Sequence, residues 1–141
     1  MRAIGLLASI VLLSACGEAP RPDLVATDVV VNRPLPGAAM SAAYLTLRNN
    51  SARTINITRV TSNAYALVQI HETTVEDGIA RMRPLQKLEI PAGGAITLER
   101  GGKHLMLMRA TPPTDTVSLQ FYDGDRLLLT VESAYADAQL R

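Results

Sequence analysis

The sequence predicts an all-β fold, because short runs of alternating or β-branched residues follow one another with turn residues between them. After Asp23, no segment repeats its apolar residues at the spacing of an amphipathic helix. The turn residues recur at intervals, as in Pro34–Gly37, Asn49–Ser51 and Pro91–Gly94. We therefore expect a sandwich or barrel of about eight or nine short strands.

Candidate strand segments can be identified in chain order from their side-chain patterns. Leu24–Val31 is rich in β-branched residues, and Ala43–Arg48 alternates apolar with polar side chains. Thr54–Thr61 alternates again, with Ile55 and Ile57 on one side. Later segments of the same kind, each next to a turn or loop, are Leu67–Thr73, Ile79–Arg83, Lys87–Ile90, Ala95–Glu99, His104–Arg109, Thr116–Tyr122 and Arg126–Glu132.

The first residues have the composition of a secretory signal. Residues 1–15 carry one positive charge, at Arg2, and then an apolar run that is too short to span a membrane. The segment ends Leu-Ser-Ala-Cys at residues 13–16, which resembles the lipobox of bacterial lipoproteins, and Cys16 is the single cysteine of the chain. An ordinary signal peptide with a chance cysteine is the alternative. We predict lipidation of Cys16, and a lipid-anchored, periplasm-facing protein of the bacterial cell envelope.

Composition divides the rest of the chain into a tether, one domain and a tail, and its charge balance limits the class of partner. Residues 16–23 hold two prolines and no apolar cluster, as expected of a short tether. Residues 24–133 then form one β domain, and residues 134–141 form a C-terminal tail. Without residues 1–15 the chain has 13 Lys and Arg against 13 Asp and Glu, because only Arg2 is lost. This neutral balance argues against nucleic-acid binding, which requires clustered positive charge.

Both histidines and two methionines form a spaced set of candidate metal ligands. The spacing is His-x10-Met-x21-His-x-Met, and the residues are His71, Met82, His104 and Met106. Imidazole nitrogen and thioether sulfur together suit Cu(I), whereas zinc more usually recruits cysteine or carboxylate. Taken singly, a methionine in a β domain is more often a core residue, which is how we interpret Met40 and Met108. A lone histidine is more often a surface residue, but the spacing of the set favours ligands.

An Asp77-Gly78 turn brings two of these residues together. Asp-Gly is a strong signal for a two-residue hairpin loop. With this turn Thr73 faces Met82, and His71 faces Pro84. Because side chains alternate along a strand, His71 and Met82 are then diagonal neighbours on one face of the hairpin.

The other two candidate ligands share a face of a separate strand. His104 and Met106 lie on one side of it, and Leu105 and Leu107 lie on the other. The hairpin pair and the strand pair can converge at one edge of the fold, although the pattern does not require it. Three cations near these ligands suggest either a partner-orienting surface or a solvated face, and they are Arg81, Arg83 and Lys103.

Enzymatic and electron-transfer functions find little support in the sequence. Nucleophilic hydrolysis needs a serine and a carboxylate beside a histidine, and no Gly-x-Ser-x-Gly motif is present. A blue-copper electron carrier needs a cysteine thiolate, and Cys16 is assigned to the anchor. We therefore expect a protein that is not an enzyme.

The segment from Ile70 to Met108 resembles the periplasmic copper chaperone family called PCu(A)C. The likeness lies in the runs IHET, GIARMRP, LEIPAGG and GGKHLMLM, and YLTLRNNS at Tyr44–Ser51 extends it, so that it covers residues 42–122. The resemblance implies a cupredoxin-like or immunoglobulin-like β-sandwich with a solvent-exposed Cu(I) site. Its ligands in this chain are then His71, Met82, His104 and Met106.

The same resemblance implies a function in copper delivery. The expected acceptor is the CuA centre of cytochrome c oxidase, reached directly or through a Sco-type thiol protein. The alternative is a copper-buffering or copper-tolerance lipoprotein without a dedicated oxidase acceptor. In either case we expect a monomer that is attached to the membrane through Cys16.

Overall fold

The structure is a computed structural model that describes residues 21–112 and 114–136, and the predicted signal and Cys16 lie outside these ranges. It contains eleven strands, which confirms the all-β prediction with more strands than the eight or nine expected. They are β1 (Leu24–Asn32), β2 (Met40–Asn49), β3 (Ile55–Ile57), β4 (Arg59–Ser62), β5 (Tyr65–Glu76), β6 (Ile79–Pro84), β7 (Leu88–Ile90), β8 (Ala95–Leu98), β9 (Lys103–Ala110), β10 (Thr116–Asp123) and β11 (Arg126–Ala136). Within the described ranges, no helix has the length and apolar character needed to cross a membrane.

Seven strands close on themselves into a barrel-like sheet. Their order is β1-β11-β10-β4-β5-β9-β2, and the ring closes because β1 pairs with β11 in parallel and with β2 in antiparallel orientation. Two further strands extend the sheet, since β8 pairs with β2 and β6 pairs with β5. β3 and β7 form a separate two-stranded sheet. The ring is one of the two architectures that the strand pattern predicts.

The inward-facing residues of these strands form an aliphatic and aromatic core. On β2, β9 and β10 alternate residues are fully buried, as expected of a sheet with one face on the core and one on solvent. Burying such a side chain stabilises the fold by about 1.5–3 kcal/mol relative to leaving it exposed. These residues, each no more than 1% exposed, include Leu45, Leu47, Leu105, Leu107, Leu119 and Phe121.

The segment predicted as one strand over Thr54–Thr61 forms two strands in two sheets. Ile57 is buried in β3 and Val60 is buried in β4, so the alternation of buried positions breaks between them. Thr58 stands at the break, and its N–H donates to the carbonyl of Tyr122 at 2.9 Å. β3 pairs with β7, whereas β4 pairs with β10. The shift from odd to even apolar positions was the sequence signal for this break.

The last strand is longer than the sequence pattern indicates. β11 continues through residues 134–136, which the sequence assigns to a tail, and Tyr135 pairs with Val31 in parallel. The N–H of Arg33 donates to the carbonyl of Ala136 at 2.9 Å. This pairing joins two segments that are far apart in the sequence, so no local sequence pattern predicts it.

Candidate metal centre

The hairpin formed by β5 and β6 has the register that the sequence predicts. Asp77-Gly78 forms its two-residue turn with φ angles of 52° and 76°. Positive values at both central residues are what a type I′ turn requires. Thr73 lies opposite Met82, and His71 lies opposite Pro84. His71 and Met82 are therefore diagonal neighbours on one face of the hairpin.

The pairing of β5 with β9 brings the two histidines together. His71 lies directly opposite His104, and Gln69 lies directly opposite Met106. The centroids of the two imidazole rings are 5.9 Å apart, and the rings are inclined by 60°, edge to face. One ion can contact both rings at this separation, since an imidazole nitrogen coordinates a metal at about 2.0 Å. The sheet order thus supplies the convergence that the spacing alone left open.

These candidate ligands lie on the outer face of the barrel-like sheet. Leu105 and Leu107 are fully buried, so the alternate residues His104 and Met106 point away from the core. Solvent exposure differs among the candidate ligands on this face: His104 is 6% exposed, whereas Met82 is 50% exposed. The solvent-exposed site that the resemblance implies is therefore exposed on its hairpin side and covered on its β9 side.

All four methionines after the initiator lie on this outer face. Met108 shares the face of Met106, and Met40 lies directly opposite Met108 on β2. Met40 is 56% exposed, so its interpretation as a core residue is wrong. Met108 is partly buried and also lies outside the inward-facing set. The core is built without thioethers, and the sulfur atoms lie on the surface that carries the histidines.

Hydrogen bonds orient both imidazole rings. The carbonyl oxygen of Gly102 is 3.1 Å from Nδ1 of His104 and also accepts the N–H of Thr73 at 3.1 Å. One carbonyl thus links β5 to the start of β9 and holds the His104 ring. Oε1 of Gln69 is 3.1 Å from Nε2 of His71. Sequence reasoning missed both partners, although Gln69 lies two residues before His71, where strand alternation places a side chain on the same face. The partner of His104 is a backbone carbonyl, which residue type does not indicate.

The second ring nitrogen of His71 has no partner. Nδ1 is buried and makes no hydrogen bond. A buried polar atom without a partner costs about 1–3 kcal/mol, and a bound metal ion can remove this cost. Burial lowers the pKa of His71 below its ordinary value of 6.5, and the nearby His104 lowers it further. Both effects favour the neutral imidazole, which is the form that binds metals.

Charged groups near the site pair with one another. Nζ of Lys103 is 2.6 Å from Oε1 of Glu72, which links β9 to β5 beside the histidines. The Glu76 carboxylate is 3.5 Å from Arg81 and 3.8 Å from Arg83. Such solvated pairs contribute less than about 1 kcal/mol each to stability. They favour the interpretation of these cations as part of a solvated face. In the parts of the chain that the structure describes, no three His, Cys, Asp or Glu side chains are grouped to hold a metal.

Sequence comparison relates the chain to bacterial lipoproteins. The profile of a family described as "Putative lipoprotein LpqE-like" matches residues 24–133. A protein of Leifsonia xyli subsp. xyli, "Putative lipoprotein Lxx21020", is 34% identical over an alignment of 94 residues that covers 62% of this chain and 57% of that protein. The matched region therefore spans a little over half the length of this curated relative.

Solved structures with a similar fold include copper-bound β domains. The solution structure of CuI-DR1885 from Deinococcus radiodurans is 28% identical, covers 89% of this chain and 85% of its own, and has a TM-score of 0.62. The copper-bound PCuAC domain from PmoF2 has a TM-score of 0.67 and covers 86% of this chain and 98% of its own. At 16% identity the second match establishes the fold alone. The expected cupredoxin-like class is confirmed.

Proposed function

Because this chain belongs to the LpqE-like lipoprotein family, we propose that it is a copper chaperone of the bacterial cell envelope, anchored through Cys16 and facing the periplasm. Its cargo is Cu(I). The proposed ligands come in two pairs, one on the β5–β6 hairpin and one on β9, and they are His71, Met82, His104 and Met106.

The observation that carries this proposal is the direct opposition of His71 and His104 across β5 and β9. Nδ1 of His71 is buried without a partner there, so the site contains a ring nitrogen that no protein group uses. Met106 lies two residues beyond His104, and Met82 lies diagonally across from His71. Two imidazoles with two thioethers form a donor set that matches a soft monovalent ion better than zinc or a hard cation.

A solved relative supports the identity of the cargo. CuI-DR1885, at 28% identity over most of this chain, is a Cu(I)-bound protein of similar fold. Thioethers have no proton to lose, so two of the four proposed ligands bind Cu(I) without proton release, unlike thiols. They also form no disulfides, which suits an oxidising compartment.

The uneven exposure of the site suggests how copper leaves it. Met82 is half exposed on the hairpin, whereas His104 is nearly covered. Ligands of an acceptor can therefore enter on the Met82 side while the two histidines still hold the ion. Thiolates are strong ligands for Cu(I), so transfer runs from this site to a Sco-type dithiol or to the CuA centre of cytochrome c oxidase.

An anaerobic titration of the full chain in detergent tests the cargo. Competition with a Cu(I) chelator should give one Cu(I) per chain, and X-ray absorption should show nitrogen and sulfur scatterers. Zn(II) under the same conditions is the control ion and should not compete at equal concentration. A stoichiometry near zero, or a shell of oxygen atoms only, contradicts the proposal.

A transfer experiment separates a chaperone from a copper-buffering lipoprotein. The Cu(I)-loaded chain is mixed with an apo CuA domain or with a reduced Sco-type protein, and the copper content of each is measured after separation. A chaperone transfers its ion faster than the ion dissociates into excess chelator. Retention of copper in the presence of both acceptors favours the buffering function.

A further inference from the structure

The hydrogen bond of His104 determines which of its nitrogens carries the proton. Nδ1 lies 3.1 Å from the carbonyl oxygen of Gly102. A carbonyl oxygen only accepts hydrogen bonds, so Nδ1 of the neutral ring must be the protonated nitrogen. The electron pair of His104 that is free for a metal is therefore on Nε2.

The arrangement at His71 is the reverse. Nε2 lies 3.1 Å from Oε1 of Gln69, while Nδ1 is buried without a hydrogen-bond partner. If the Gln69 amide were turned to donate to Nε2, the proton of the neutral ring would sit on Nδ1, and a buried N–H would have no acceptor. Orphaned buried N–H donors are rarer in proteins than under-used acceptors. The favoured state has Nε2–H donating to Gln69, with the electron pair on Nδ1.

We propose that the two histidines present different ring nitrogens to the metal, Nδ1 from His71 and Nε2 from His104, and that Gln69 is the positioning residue that selects the His71 nitrogen. The metal-binding part of this inference rests on the proposed function. The tautomers are a property of the metal-free chain and do not depend on copper.

Gln69 is well placed for this task. It precedes His71 by two residues, so both side chains project from the same face of β5. It also lies directly opposite Met106 on β9, and its side chain is partly buried, which limits competition from water for the hydrogen bond. An acceptor that hydrogen-bonds the other ring nitrogen of a metal-binding histidine orients the ring and raises its basicity as a ligand.

Nitrogen NMR of the metal-free chain tests the tautomers directly. The full chain in detergent micelles is labelled with 15N at histidine only, which gives signals from two residues. At about pH 8, couplings from the ring carbon protons distinguish a protonated nitrogen from an unprotonated one, and a His104→Gln variant assigns the signals. We expect opposite tautomers for the two rings. The same tautomer in both rings overturns the inference.

Titration of this sample with Cu(I), which is diamagnetic, identifies the ligating atoms. Binding should shift Nδ1 of His71 and Nε2 of His104, while the Nε2 proton of His71 persists. If copper binds but His71 loses its Nε2 proton and ligates through that atom, the inference fails and the proposed function stands. If the tautomers are as expected but neither ring responds to Cu(I), the proposed function fails instead.

Variants of Gln69 test its positioning role. Gln69→Leu should expose the Nε2 proton of His71 to faster solvent exchange. It should also weaken Cu(I) binding about 10- to 100-fold, the usual effect of losing a residue that hydrogen-bonds a metal ligand. Gln69→Glu keeps an acceptor oxygen and should retain most of the affinity. The matched control is Gln120→Leu on β10, where Oε1 accepts hydrogen bonds from Tyr122 at 3.0 Å and Thr61 at 3.3 Å.

The comparison of these variants separates positioning from general destabilisation. Gln120→Leu should lower the free energy of unfolding without changing Cu(I) affinity or the His71 signals. Equal loss of affinity in Gln69→Leu and Gln120→Leu, or no loss in Gln69→Leu, shows that Gln69 does not position His71.

Discussion

Two of the three strands that supply the proposed ligands, β9 and β6, are held in very different ways. β9 is one of the strands of the closed ring, where it pairs with β5 and β2, and its inward-facing residues Leu105 and Leu107 are fully buried. Along β6 the only strand partner in the described chain is β5, and all six of its residues are exposed. The proposed ligands on β5 and β9 are therefore positioned by strands of the ring, whereas Met82 on β6 is held by the hairpin turn and one strand pairing. A site of this kind can bind its ion firmly on one side and open on the other.

The largest expected effect of this difference is on stability. Leu107→Ala on β9 should lower the free energy of unfolding by about 2–5 kcal/mol, because it leaves a cavity in the core. Ile79→Ala on β6 should change it by less than about 0.5 kcal/mol, since Ile79 is 58% exposed. Urea denaturation of the metal-free protein measures both. Comparable losses would show that the hairpin belongs to the cooperative core.

The second effect is on copper affinity. Met106→Leu and Met82→Leu should each weaken Cu(I) binding by at least about tenfold, which is about 1.4 kcal/mol. The free energy of unfolding should change by less than about 1.5 kcal/mol, because leucine and methionine have similar volumes, and the change should be smaller for the exposed Met82. Chelator competition and thermal denaturation measure the two quantities.

The matched control for these variants is Met40→Leu. Met40 is a methionine on the same outer face and is about as exposed as Met82, but it lies outside the proposed ligand set. The Met40→Leu variant should bind Cu(I) as tightly as the parent protein. If all three variants behave alike, Met82 and Met106 are not ligands.

The third effect is the pH dependence of binding. Burial, and next the nearby His104, lower the pKa of His71, so this ring stays neutral to lower pH than usual. Protons therefore compete only weakly with copper for its nitrogen. From pH 7 to pH 6 the Cu(I) affinity should therefore fall by less than about tenfold, the limit for one competing proton per pH unit. Competition titrations at several pH values measure the slope. A fall of a hundredfold in this interval would show that both rings take up protons there.

The same pKa shift has a consequence for the metal-free protein. Because the folded chain holds His71 with a lowered pKa, the unfolded chain binds the proton more readily. This contribution to the free energy of unfolding is present above about pH 6.5 and is lost as the pH falls through the lowered value. His71→Ala should remove that part of the pH dependence.

The smallest expected effect comes from the turns. Gly78 in the hairpin turn has a φ of 76°, and an added Cβ meets nothing within 4 Å, so Gly78→Ala adds backbone strain of about 1 kcal/mol without a clash. The variant should weaken Cu(I) binding less than tenfold and leave the thermal midpoint nearly unchanged. Gly124→Ala is the control, because its φ of 57° lies in the turn between the ring strands β10 and β11. It should lower the thermal midpoint and leave copper affinity unchanged.

Most of the local structure was predictable from the sequence, and the exceptions have physical causes. Alternation and turn residues identified the main strands, and Asp77-Gly78 set the hairpin register, because these signals act over a few residues. The break at Thr58 was missed because two polar residues, Thr58 and Arg59, separate Ile57 from Val60, so the shift from odd to even apolar positions rests on Val60 alone. Met40 was misplaced because residue type says little about which face of a strand points inward.

The sequence by itself determined the strands, the hairpin that pairs Thr73 with Met82, and a donor set suited to Cu(I). Only the tertiary structure decided that β5 lies beside β9, and with it the contact of His71 with His104, the hydrogen bond between His71 and Gln69 and the unpartnered Nδ1. Turn chemistry and side-chain alternation act between near neighbours, so a short window of sequence contains them. The neighbour of a strand in a closed ring depends on how all the strands share one core, and that choice is made by the whole domain.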